Sequence, residues 1–187
     1  MKPSDKIPIN AIPLDSMGFT KMNSKDVCRH LFETASFILA RDGHLTPFAF
    51  LFTEHVCFAI PAMSFLKDSE AKDKLSFLLR QAAGEETILG IAVVMEGWMR
   101  PATEKERRTG MKEDDRPVRG HPNRKEVISV QCEWHDNTQY MLTAVFTREK
   151  EENDIESIKI HDADGSQTFE GRFANLFPPT RSGGYVH

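Results

Sequence analysis

Cysteine is scarce in this chain. Cys28, Cys57 and Cys132 are the only three, widely spaced and without a Cys-x-x-Cys pair. That spacing excludes a disulfide framework and a zinc knuckle. Each reads as a small buried hydrophobe, since no signature of an activated thiolate accompanies it. Long apolar runs are missing too. The longest, Ile88 to Met95, falls far below the ~20 residues that a helix needs to cross a bilayer. Met1 to Asp5, followed by Pro8 and Pro13, offers no unbroken apolar stretch of the kind a secretory signal requires. Together these shortages predict a protein of the reducing cytoplasm with no membrane partner.

Signature motifs are equally thin. No glycine-rich phosphate loop, dinucleotide fingerprint, Gly-x-Ser-x-Gly elbow or His-Glu-x-x-His pair occurs, so the common nucleotide, hydrolase and zinc-protease scaffolds lose support and no cofactor is implied. Asp162-Ala163-Asp164-Gly165 opens like a calcium loop, but the closing glutamate is missing. The Asp-Gly pair reads instead as a hairpin turn. No internal repeat is present.

What is there is a composition for a packed core. Hydrophobic residues make up 40% of the 187 positions and charged residues 28%, close to the globular average and enough chain for one domain. Thirteen Phe stand against two Tyr and two Trp. Such rings add large buried area without asking for a hydrogen-bond partner.

Residues 1–20 carry three prolines among isolated apolar residues and read as an extended arm without helix. From Asn23-Ser24, the residues Val27, Leu31, Ala35 and Ile38 recur at helical spacing up to the stop Asp42-Gly43, which predicts a helix over 24–41. Residues 44–53 and 55–60 alternate as half-buried strands around a turn at Thr53-Glu54. A second helix over 69–83 follows a cap at Asp68 or Ser69, with Ala71, Leu75, Leu78, Leu79 and Ala82 on its apolar face. Thr87 to Met95 has the near-continuous apolar character of a central strand covered on both faces. Strands are expected at 126–134, 139–148, 155–160 and near 168–172. The expectation is an α+β fold over 21–177: a mostly antiparallel sheet of five to six strands, two main helices on one of its faces, and a tail at 178–187 with little apolar surface to anchor it.

Two features invite chemistry. Where the central strand ends, alternation puts Val94, Glu96 and Trp98 on one face, so a carboxylate emerges beside an indole at the core's edge. Beyond it, Arg100 to Lys125 holds nine Lys or Arg against five Asp or Glu, a balance of +4 in a chain whose remainder is −8. This stretch reads as a long charged loop, and loops above about 12–15 residues tend to be functional or disordered. Trp98, Arg100, Arg116, Arg119 and Arg124 are the candidate binding residues, arginine's planar fork suiting phosphate and carboxylate. Taken singly, each of these features is also what a solvated insertion and a structural ion pair would show.

The leading reading is therefore a non-enzymatic accessory or interaction protein that presents 100–125 to a protein or anionic partner. The alternative is a small metal-assisted hydrolase with Glu96 as acid or base and His44 or His121 assisting, although no local ligand pair supports a metal. Limited trypsin digestion is expected to cut within 100–125 before it cuts either helix, because charge and proline leave that backbone little protection. Cleavage inside 24–41 or 69–83 first would refute the assignment.

Overall fold

A computed structural model of the protein describes residues 10–19, 22–109, 118–150, 156–167 and 172–178. Its element order is β1 (Asn10–Pro13), α1 (Ser24–Asp42), β2 (Phe48–Phe52), β3 (Val56–Pro61), α2 (Ser69–Ala83), β4 (Gly90–Met99), α3 (Glu104–Thr109), β5 (Lys125–Trp134), β6 (Gln139–Lys150), β7 (Glu156–Ile160) and β8 (Asp164–Ser166), with short 3₁₀ turns at Leu14–Met17, Met63–Phe65 and Val118–Gly120. The class is α+β, as the sequence predicts.

Local chemistry sets the helix ends. Asn23 caps α1 by accepting the Asp26 N–H at 2.9 Å, and Gly43 closes it at φ 76°, donating its N–H to Leu39. That left-handed conformation is inexpensive only for a residue without Cβ. Asp68 caps α2 through the Ala71 N–H at 2.8 Å.

One antiparallel sheet runs in the order β1-β3-β2-β4-β5-β6-β7, with β8 joining β6 beside β7. Among the described residues it has eight strands, more than the five to six expected. The additions are short: β1 pairs with β3 within the proline-rich start, and Asp164-Gly165, expected as a turn, lies inside β8. Gly165 is there for proximity, since a Cβ would stand 2.6 Å from the Tyr140 hydroxyl. The strand expected near 168–172 falls outside the described residues except for Arg172, which lies in a turn. Residues 1–9 and 179–187 also lie outside them.

Both helices pack on the sheet, but on opposite faces rather than on one. α1 buries Val27, Leu31, Ala35 and Leu39 against Phe52, Ala92, Val94, Val130 and Phe146, whereas α2 buries Leu75, Leu79 and Ala83 against Ala49, Ile91 and Val93. Strand alternation explains the split: odd and even residues of β4 point to different layers. Phe173, Leu176 and Phe177 complete the α2 layer. Their segment is fastened by Arg172 to Asp73 at 2.6 Å, by the Ser76 hydroxyl to the Arg172 carbonyl at 2.6 Å, and by the Phe177 N–H to the buried Glu133 carboxylate at 2.8 Å.

Within α2 the buried stripe is Leu75, Leu79 and Ala83, and Leu78 is 37% exposed, so it does not share the apolar face. Leu79→Ala is expected to lower stability by about 2–5 kcal/mol and Val93→Ala by less, while Leu78→Ala stays within about 0.5 kcal/mol. Chemical denaturation of the three variants checks the order.

Candidate functional site

The end of β4 and the start of β5 form a ladder in which Trp98 faces Glu126 and Met99 faces Lys125. Glu96 lies two residues earlier, on the α1 face. One of its carboxylate oxygens accepts the Leu45 N–H, and the other lies 3.7 Å from the Arg148 guanidinium. Arg148 also donates to the Gly43 carbonyl at 2.6 Å, sits 3.3 Å from Glu126 and covers the Phe146 ring at 5.3 Å. The connection from α1 to β2 is thereby tied to β4, β5 and β6. A general base must reach a substrate proton, and in this arrangement Glu96 is engaged by a backbone donor and a guanidinium.

The histidines sit apart from that carboxylate's bonds. His44 Nδ1 lies 2.9 Å from the Asp42 carbonyl, so that nitrogen carries the proton. The exposed ring borders a cavity of ≈ 210 Å³ whose walls include Leu31, Ile38, Phe48 and Phe50. His121 is buried in the turn before β5, its Nδ1 accepting the Asn123 N–H at 3.1 Å. Among the described residues, no group of three His, Cys, Asp or Glu side chains is placed to hold a metal ion. Burial pushes the Cys57 thiol up to about 12 and the Cys132 thiol well above its usual value, which keeps both protonated and unreactive.

The expected long loop is folded in part. Thr103 and Glu106 make a reciprocal cap at the start of α3, with the Thr103 N–H on the Glu106 carboxylate at 2.8 Å and the Glu106 N–H on the Thr103 hydroxyl at 3.1 Å. Arg100 grips the same carboxylate through two bonds of 2.6 Å, and the pair is nearly buried at 12% and 5% side-chain exposure. Arg100 therefore holds the segment to the domain. Arg124 lies 5.8 Å from the centre of the Trp98 ring, and that indole is 43% exposed. Arg119 falls in the 3₁₀ turn at Val118–Gly120, and Arg116 lies outside the described residues.

A cleft of ≈ 600 Å³ opens next to Arg124. Lys125, Glu126, Val145, Phe146, Thr147, Arg148 and His161 line the rest of it. Nothing in the sequence pattern points to Lys125, Arg148 and His161 as members of one site, because they belong to three different strand ends. The cleft's origin is in the pairing. Lys125 and Glu126 stay paired with β4, while the β5–β6 ladder ends at Val127 with Val145.

A family model described as bacteriophage lambda protein ea47 matches residues 6–175 of the chain. The chain belongs to that family. The match takes in β1 through β8, the Arg100–Glu106 clasp and the cleft. No significant match to this ea47-family chain is found among curated proteins or solved structures. Among its described residues, no helix is long and apolar enough to cross a membrane.

Removing one member of a buried ion pair strands the other's charge, at a cost of about 3–5 kcal/mol. Arg100→Ala is accordingly expected to lower the unfolding midpoint more than Arg124→Ala, whose side chain is exposed. Urea titrations of both variants measure the difference.

Proposed function

We propose that this ea47-family protein is a non-enzymatic accessory protein of the cytoplasm that binds a partner protein at the sheet end formed by Trp98 and Arg124. The observation that carries this reading is the half-exposed indole with a guanidinium beside it, held on the rigid β4–β5 ladder. Trp and Arg are among the residue types that most often dominate protein interfaces, Trp for its large rigid ring and Arg for its planar fork of donors. A partner that covered the exposed part of the ring would remove it from water. The engaged state of Glu96 supports the binding reading over acid–base chemistry at that residue.

Affinity capture with the wild-type protein, followed by reconstitution from purified components, provides the test. Trp98→Ala is expected to weaken the reconstituted complex by at least about tenfold, the loss typical of an interface anchor. A complex indifferent to Trp98→Ala and Arg124→Ala, or the absence of any reconstitutable complex, would overturn the proposal.

A further inference from the structure

We infer that the cavity between α1 and β2 is a binding site for a small neutral phenol, a single aromatic ring carrying one hydroxyl. This goes beyond the partner-binding role proposed above: among the described residues that line the cavity, neither Trp98 nor Arg124 appears. The cavity has its cause in the layering. α1 lies chiefly over β5 and β6, which leaves a gap over the α1 face of β2. Three phenylalanines alternate along that face. Phe52, the last of them, is covered by Phe19 at 5.8 Å and by Trp134 at 5.4 Å, whereas Phe48 and Phe50 stay half-buried and line the gap.

Size and lining select the ring. The cavity holds ≈ 210 Å³. An apolar cavity of about 150 Å³ with Leu, Ile and Phe walls takes up benzene, and the same proportion gives room for about eight heavy atoms here. Leu31, Ala35 and Val94 are its buried walls. The Phe48 and Phe50 rings, 5.9 Å apart and tilted by 32°, offer a further ring the offset or edge-on contact that aromatic groups prefer. A void this large leaves its lining without contacts on one side, and a ligand restores them.

The rim supplies the polar end. Thr34, Asp42 and His44 line it and are exposed. Because His44 Nδ1 donates to the Asp42 carbonyl at 2.9 Å, Nε2 of the neutral imidazole is an acceptor, the partner that a ligand hydroxyl needs. The Asp42 carboxylate is matched by Arg41 through two bonds of 2.6 Å. A charged ligand would therefore give up its hydration for little in return. A peptide fits less well, since the Leu45 N–H is held by Glu96 and the Gly43 carbonyl by Arg148. Those same bonds fix the mouth in advance, as in the largely pre-formed sites that small molecules use.

The test titrates p-cresol, toluene and benzoate into the full-length protein and follows the methyl NMR signals of Leu31, Ile38, Leu45 and Val94. The cresol is expected to shift them saturably and to bind about tenfold more tightly than toluene, the worth of one well-placed hydrogen bond. His44→Ala should bring p-cresol down to the affinity of toluene and leave toluene unchanged, a split that a mere loosening of the mouth would not produce. Ala35→Leu, which fills the cavity, should abolish the binding of both. His44 is exposed, so its variant keeps the test decisive if thermal unfolding shows that Ala35→Leu does not fold. The proposal is overturned by the absence of saturable shifts at those methyls, by toluene or benzoate binding as tightly as p-cresol, or by binding indifferent to His44→Ala or to a folded Ala35→Leu.

Discussion

Burial of β4 on both faces sets the positions of the other layers. Ile91, Ala92, Val93 and Val94 are all at most 4% exposed, which no sheet with a single covered face can achieve. α1 supplies one cover, and α2 with the 172–178 segment supplies the other. The packing is close enough that Gly90 has no room for a side chain, since a Cβ would stand 2.5 Å from the Trp134 ring. That ring in turn meets Phe52 at 5.4 Å, the last of three phenylalanines spaced along one face of β2. Phe19, Phe32, Phe50, Phe52 and Phe146 pack in the α1 layer and Phe65, Phe173 and Phe177 in the α2 layer, whereas Phe37 and Phe77 stay exposed on the helices.

Periodic segments were legible in the sequence. α1, α2 and the two long strands β5 and β6 are where spacing and turn residues place them, because caps such as Asn23, Asp68 and Gly43 act within a few residues of the chain. Strand phase was harder to read for short elements. β1 hides among prolines, and β8 contains the Asp-Gly pair that usually marks a turn. The placement of both helices on one face overlooked what the apolar run at 87–95 already required, since a strand apolar on every residue needs two covers. Leu78 misled for a local reason: adjacent leucines at 78 and 79 compete for one stripe, and the i, i+4 series from Leu75 through Leu79 to Ala83 wins.

The candidate site was only half legible. Alternation placed Glu96 and Trp98 on a common face, and Arg124, whose guanidinium lies over the Trp98 ring, falls within the segment singled out by charge. The roles of Arg100 and Arg148 were not readable, because each is decided by a carboxylate that only folding brings near. Arg100 belongs to Glu106, and Arg148 bridges Glu96 and Glu126. A count of basic residues cannot separate a guanidinium that clasps the chain to itself from one that faces outward.

The pairing of Met99 with Lys125 brings the two ends of the intervening segment onto adjacent strands. Ten residue pairs, from Gly90 with Trp134 to Met99 with Lys125, hold that junction regardless of what lies between. The entropy of closing a loop grows only logarithmically, about 0.6 kcal/mol for each doubling of its length. Beyond the Arg100–Glu106 clasp, a change in the length of the segment between the two ends therefore carries little penalty in loop closure. The β4–β5 junction works as a fixed socket, on which the segment from 100 to 124 can change in length while the sheet that carries it stays the same.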